Sequence, residues 1–571
     1  MNAQLPGELA YVFLVSILDA VLLSWVALTW YRRSVSRLMR LADDPGPAAP
    51  VITQAAPRPV ALSPRPLTFA LYDAGNGQGV ASARPPGNRT QVVLAYTVAA
   101  ALYSAVITTA QLGTQELPFA AWFGTWCIHL WPLVPTLAVI LVLDRRATAR
   151  LAVQYVAGVA GAVALVTFVL QIFRGSFNST PLTNAYWVIA GMAVTAWAPL
   201  VVLLLMGWRR TRAVLPLALA ATLVFGFGSL AFRDVMIRAF NLPAFRSGFL
   251  ALAALTGTQF VYYGLFMIVS LPVGWIAWRL LRWLAGAFER KRFSDVQLLI
   301  DCWWMVVAAD MVATTLVLEY GLAGVGIGIA AFVVYRAAVA VVLRARPAES
   351  SAPQHLLLLR VFGYEARTES LFDRVAQLWR FTGPVQLIAG VDLATRTVDP
   401  GDVLMFLNGR LAAKFVARES EVPQQLQRLD SARDPDGRHR VNELYCHDNT
   451  WRTALQSLLD VSDTGLMDLR SFTAQNAGCV FELQQLVRRV PTERIVLTCD
   501  DSTDLALLGK ILSDAWSTAV ADGTARGSGE IAIVRLRTGR HRELAVLMKR
   551  LMGVTKAQRL FQANELPVAW A

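Results

Sequence analysis

The chain has 571 residues, of which 55% are hydrophobic and only 16% charged, with a net charge of +13. Soluble globular proteins carry about a quarter charged residues, so the composition excludes a wholly soluble protein. Many of the arginines sit in short loops between apolar runs, and no aromatic–basic motif of the RNA-binding kind is present; the expected partner is a lipid bilayer and not nucleic acid.

A bilayer core takes about 20 apolar residues per helix. In chain order the runs of that length are 9–30, 92–112, 119–143, 152–173, 185–207, 213–232, 249–278, 297–317 and 322–343, which predicts about nine transmembrane helices. The first has no basic segment before it and no small-x-small cleavage site after it, so it reads as a retained helix. The seventh is long, and Pro272 is positioned to kink it.

The orientation follows from basic residues in alternate loops. One side carries Arg32, Arg33, Arg37 and Arg40, then Arg145, Arg146 and Arg150, then Arg209, Arg210 and Arg212. The same side continues with Arg279, Arg282, Arg290, Lys291 and Arg292, and ends at Arg344 and Arg346, which makes 17. The other side carries four: Arg174, Arg233, Arg238 and Arg246. Nine helices with the N-terminus outside and the C-terminus in the cytoplasm fit that asymmetry, as in a multi-pass protein of the inner membrane.

The expected order is a first helix and basic flank (1–40), a Pro/Gly-rich flexible linker (41–91), an eight-helix region (92–346), a tether (347–354) and a soluble α/β domain (355–571). A weak strand, PLTFALY, lies in the linker. Ionisable residues are rare inside the apolar runs: Asp19, His129, Asp301, Asp310 and Arg336. Such groups are costly in lipid and often functional. Asp301 and Arg336 lie at similar depths on successive helices, so either they pair or Arg336 snorkels to the surface; Asp310 lies deeper. GVGIGIAAF (324–332) is Gly-rich but apolar, which points to helix packing and not to nucleotide binding.

After residue 355 short apolar runs alternate with amphipathic stretches. Strands are predicted at 355–361, 384–390, 442–446, 464–469, 494–499 and 530–536, and helices at 369–381, 400–417, 450–460, 477–489, 503–521 and 541–552. Continuous apolar strands alternating with helices indicate an open, parallel, doubly wound sheet, and ligands in such sheets bind beyond the C-terminal strand ends. The five cysteines, at 127, 302, 446, 479 and 499, form no CxxC pair, so no metal site and no disulfide framework is expected. No P-loop, HExxH, GxSxG or kinase motif set is present.

Three motifs stand in order along this region: LLLRVF (357–362), DNTW (448–451) and GCVFEL (478–483). In that order and spacing they resemble bacterial membrane-tethered TIR-like domains, over roughly 355–500. Two departures stand out: 400–440 reads as an insertion before DNTW, and Gly478 stands where the family pattern has tryptophan. The resemblance implies a flavodoxin/TIR-like sheet and places Glu482 where catalytic members carry the glutamate that cleaves the nicotinamide–ribose bond of NAD. It implies a nucleotide site around Arg360, Asp448, Trp451, Asp468 and Arg470, with NAD as substrate, no bound cofactor, and self-association through the soluble domain.

Residue chemistry alone leaves other roles open. Glu482 could be a solvated helix residue, Trp451 a core residue, Arg360 a partner of Asp373 or Asp468, and Asp468–Arg470 a local ion pair. The expected function is a membrane-anchored signalling or effector protein. The alternatives are a non-enzymatic scaffold and a transporter with a regulatory domain.

Overall fold

The computed structural model describes residues 5–40, 66–73, 89–112, 119–141, 211–321, 323–345, 352–360, 365–389, 398, 400–447, 449–537, 541–553 and 560–566, with isolated positions in 153–203. The expected spans 152–173 and 185–207 lie almost wholly outside these residues. The chain forms two compact units, one helical and one α/β.

The helical unit contains α1 (Leu5–Arg40) as far as Arg33, α2 (Arg89–Leu112), α3 (Phe119–His129), α4 (Leu133–Leu141), α5 (Leu215–Phe240), α6 (Pro243–Thr256), α7 (Thr258–Glu289), α8 (Asp295–Met311) and α9 (Ala323–Arg344). Among the described residues, five helical stretches are long and apolar enough to cross a membrane: Val15–Met39, Thr90–Leu112, Trp122–Leu141, Thr258–Glu289 and Ala323–Arg344. Their outward positions are apolar, with Trp25, Phe260, Leu271 and Trp275 all exposed, as lipid contact requires. The run expected as one helix at 249–278 is two. Gly257, at φ 94°, ends α6 and opens α7, a conformation that a side chain would strain. Pro272 lies inside α7.

Helix α8 starts from a capping box in which Ser294 and Gln297 each satisfy the other's backbone N–H. It passes through a π turn, Val312–Leu316, into Val317–Tyr320. Gly328 of α9 packs against that turn, where a Cβ would collide with the Val312 side chain. The glycine-rich run is therefore a helix-packing surface. Helices α2 and α9 pack side by side, and Gln91 donates to the carbonyls of Val342 and Leu343 (2.9 and 3.1 Å).

The α/β unit is built on β1 (Thr68–Asp73), β2 (Leu356–Arg360), β3 (Val385–Ala389), β4 (Phe415–Val416), β5 (Val441–Cys446), β6 (Thr464–Asp468), β7 (Ile495–Cys499), β8 (Glu530–Arg535) and β9 (Leu560–Phe561). The spatial order is β4-β5-β3-β2-β6-β7-β8-β1-β9. All neighbours are parallel except β1 and β9. Strands β2, β6 and β7 are buried along their whole length, so both faces are covered, which is why their sequences are continuously apolar instead of alternating. The remaining helices are α10 (Glu365–Trp379), α11 (Pro400–Leu407), α12 (Val422–Gln427), α13 (Trp451–Val461), α14 (Ala477–Arg489), α15 (Leu505–Ala521) and α16 (His541–Leu551).

Consecutive domain boundaries do not describe this chain, because the two units exchange segments. The linker expected at 41–91 supplies β1, which pairs with β8 from Thr68↔Glu530 to Asp73↔Arg535 and buries Phe69 completely. In the other direction, α11, expected as part of a 400–417 helix of the soluble domain, belongs to the helical unit. Its Phe406 ring stands edge-on to Trp30 and Tyr31 (5.4 and 5.8 Å between centroids). Asn408 and Arg410 both donate to the Glu289 carboxylate at 3.1 Å. The helix stops at Leu407, and Gly409 turns the chain with φ 71°. Within the stretch 418–440, Asp434 and Asp436 are buried and paired with Arg440 and Arg438, each at 2.8 Å.

Candidate functional site

Strand order reverses beside β2: β3 lies on one side of it, and β6, β7 and β8 run away on the other. The carboxyl ends of the strands beside such a reversal, here those of β2 and β6, are where a doubly wound sheet receives a ligand. Arg360 closes β2 and Asp468 closes β6, and the two are partners in the ladder register. Arg360, Asp468, Arg470 and Glu482 thus come from the ends of two adjacent strands and the helix that follows the second.

Helix α14 carries the carboxylate. Its buried stripe runs Cys479, Glu482, Leu483, Leu486 and Val487, the spacing of one helical face. Glu482 therefore occupies a core position with apolar neighbours on either side. Gly465 of β6 lets the helix come close, because a Cβ there would lie 2.6 Å from a methyl of Leu486. At the helix start, the Cys479 thiol points to the Arg360 carbonyl at 3.8 Å.

Glu482 is 4% exposed, and its Oε2 is buried without a hydrogen-bond partner. Burial pushes its pKa up to about 8, and the nearby Arg360 charge offsets only part of that rise. A glutamate so placed is uncharged at neutral pH. Arg360 is also buried.

Asp468 and Arg470 form the local ion pair that their spacing allows. Arg470 grips the carboxylate with Nε at 2.8 Å and Nη2 at 2.7 Å, and Thr498 of β7 donates to it at 3.0 Å. The carboxylate is saturated, and so is oriented in place. Beyond it, Asp500 Oδ1 accepts from the Ser502 N–H and hydroxyl (3.1 and 2.5 Å) and from the Ser471 N–H (3.4 Å). Ser471 turns the chain with φ 65°. Thr498, Asp500 and Ser502 were not among the residues expected at this site. The signal for them was present: TCDDST follows a strand, at the end where ligands bind.

Trp451 opens α13 and packs edge-on against Phe481 of α14 (5.5 Å, 85°). The Arg452 guanidinium lies over both rings, at 5.5 and 5.3 Å. The tryptophan thus ties α13 to the helix that bears Glu482. Asp448 lies outside the described residues.

In the helical unit, Arg336 bonds Asp301 at 2.5 Å and the Tyr335 hydroxyl donates to Asp301 at 3.4 Å. Tyr335 stacks on Trp304 (4.8 Å), whose indole N–H donates to the Thr136 hydroxyl at 3.1 Å. Asp310 is buried on the same helix as Asp301. His129 is buried and bonds Gln111 at 2.6 Å, and Asp19 is exposed. Among the described residues, no group of three or more His, Cys, Asp or Glu is placed to hold a metal, and all five cysteines are free thiols.

Comparison with protein-family models, curated proteins and solved structures finds no match to this chain.

Proposed function

We propose that the protein is a membrane-anchored signalling or effector protein whose cytoplasmic, TIR-like α/β unit binds a nucleotide at the β2/β6 crevice and cleaves NAD when that crevice opens. The observation that carries this reading is Glu482: a buried carboxyl with an unpartnered oxygen beside Arg360, at the reversal point of the sheet. The strand order supports the TIR-like assignment. Numbered along the chain from β2 and omitting β4 and β5, the central five strands run 2-1-3-4-5, the flavodoxin-like order. Strands β5 and β4 extend one flank, and β1 and β9 the other. Nine spans with a cytoplasmic C-terminus rest on the basic-residue asymmetry of 17 to four and on the five apolar helices.

Cleavage breaks the C–N bond between ribose and nicotinamide. Nicotinamide leaves with the bonding pair, the ribose passes through an oxocarbenium-like state, and water adds to it with loss of a proton. An ionised carboxylate at that carbon stabilises the developing positive charge. A neutral Glu482 does not, so the closed crevice is silent, and activity requires an opening that hydrates and ionises the side chain. Arg360 then meets the pyrophosphate.

The full chain in lipid vesicles, incubated with NAD at high protein density, tests this by nicotinamide release. Release is expected, with a loss of at least about 100-fold in Glu482→Ala. No release, or equal release from the variant, overturns catalysis. A non-enzymatic scaffold is the second reading, favoured by the burial of Arg360, Asp468 and Glu482 together. It predicts no NAD binding by calorimetry and unchanged self-association in Glu482→Ala.

A further inference from the structure

Helix α2 carries a polar stripe on the face that it turns into the helical unit. Tyr96, Tyr103, Ser104 and Thr108 are all buried, at the spacing of one helical face, with Ala99, Ala100 and Ile107 between them. Leu94 and Leu102, on the other side of the helix, are exposed as lipid-facing residues are. Among the described residues, the hydroxyls of Tyr103, Ser104 and Thr108 have no hydrogen-bond partner. A serine or threonine in a helix can return its hydroxyl to the carbonyl four residues back, as Thr97 does to Val93 at 2.8 Å, and these do not. The stripe is therefore a row of buried donors and acceptors that the fold leaves open, and Phe, Ala and Val of similar shape would pack there without that cost.

Ionisable groups stand along this row. Asp310 of α8 is buried, and its charge acts on the Tyr103 hydroxyl. The π turn Val312–Leu316 follows close behind it, a rare geometry that recurs at functional sites. One turn beyond Thr108, the Gln111 side chain bonds the buried His129 of α3 at 2.6 Å. In the other direction Tyr96 lies beside the buried Tyr335 of α9 (6.3 Å between ring centroids), whose hydroxyl donates to Asp301. The bonds from Gln91 to Val342 and Leu343 fix that end of α2 beside the Arg344 end of α9. From Tyr96 to Gln111 the helix rises about 22 Å, most of a hydrocarbon core about 30 Å thick. Side chains one turn apart, such as Ser104 and Thr108, sit about 6 Å from each other, a gap that one water closes with two hydrogen bonds.

We infer that this row is a proton path through the helical unit, with Asp310 as the group that takes up and releases the proton and the Tyr103, Ser104 and Thr108 hydroxyls, bridged by water, as its relay toward His129. At each step a hydroxyl or water oxygen accepts one proton and gives up another, so only a proton's charge moves and no oxidant or reductant is needed. A hydroxyl suits this task because it donates and accepts at once. A carboxyl suits the exchange, since ionisable residues inside a bundle are costly and are kept for relays and ion pathways. The Asp301–Arg336 pair closes the far end, where Asp301 holds the Tyr335 hydroxyl in place. None of this depends on Glu482 or on the α/β unit.

The full chain in phosphatidylcholine–phosphatidylglycerol vesicles tests this, with a pH-sensitive dye inside and a valinomycin–potassium potential, negative inside, as the driving force. Internal acidification is expected at about ten times the rate of protein-free vesicles, falling to that background in Asp310→Asn. Tyr103→Phe, Ser104→Ala and Thr108→Val together should slow it about tenfold. Thermal unfolding of that triple variant in detergent should occur at the same temperature as in the parent chain or higher, because those hydroxyls have no partner to lose. Loss of flux at undiminished stability is a result that a packing role does not give. Acidification no faster than in protein-free vesicles overturns the proposal, as does parental flux from Asp310→Asn or from the triple variant. Uptake of radiolabelled sodium without acidification overturns it too, in favour of a metal cation as the species carried.

Discussion

Two carboxylates, one half-buried and one buried, show how differently the two units treat the same chemical group. Asp301, in the helical unit, is held by Arg336 at 2.5 Å and by the Tyr335 hydroxyl. Glu482, in the α/β unit, keeps one oxygen without a partner, and burial raises its pKa to about 8. A buried charge is expensive unless paired and hydrogen-bonded, so Asp301 reads as architecture that aligns two helices. An unpartnered buried carboxyl contributes no such alignment, and its stabilisation of the fold is negative above the ordinary glutamate range. Residues kept at a cost to stability mark places where the chain does something else.

The largest effects are expected where a group loses a packed or paired partner. Asp301→Ala leaves the half-buried Arg336 guanidinium without its carboxylate and should destabilise the helical unit by about 2 kcal/mol, read as thermal unfolding in detergent. The double variant Asp301→Leu with Arg336→Leu should recover most of that loss. If the single variant is neutral, the pair is not structural. A comparable effect is expected in the α/β unit from the borrowed strand. Phe69→Ala empties a fully buried site in β1 and should cost about 3 kcal/mol. A fragment beginning at residue 355 lacks β1 altogether, leaves the β8 edge open, and should aggregate, whereas adding residues 60–75 as a peptide should restore solubility. The smallest effect belongs to the surface pair Arg489–Asp460 (2.7 Å, half exposed), where Arg489→Ala should change stability by less than about 0.5 kcal/mol.

How much of this could be read from the sequence differs by region, for physical reasons. Six of the eight strands from 355 onward were legible to within a residue, most clearly β2 and β7, because a strand buried on both faces must be apolar throughout; the two-residue β4 and β9 are too short to leave a pattern. Helix α14 was legible too. The burial of Glu482 could have been read from its place between Cys479 and Leu486 on the helical period, where it stands on the apolar stripe. Strand β1 was only a weak signal. Six residues in a Pro-rich stretch gain their order from β8, more than 450 positions away, and no local pattern encodes that partner. The attachment of α11 was hidden for the same reason: an apolar helix face does not say which core it joins. The break at Gly257 was masked because apolar residues continue on both sides of it, so hydropathy sees one run where backbone conformation makes two helices.

The most direct test of the account is the pH dependence of stability in the α/β unit, read by pulse proteolysis at graded urea on the full chain and on Glu482→Gln. The folded protein holds the Glu482 proton up to about pH 8, whereas an unfolded chain releases it near 4.5. In that window the native state binds the extra proton, so stability falls as pH rises, by about 1.4 kcal/mol per pH unit at its steepest. Glu482→Gln has no proton to lose there. The variant is expected to gain stability relative to the parent steadily between pH 4.5 and 8, with a constant difference above that window. Parallel curves across the window would contradict it, because they would mean that Glu482 ionises in the folded protein as an ordinary exposed glutamate does.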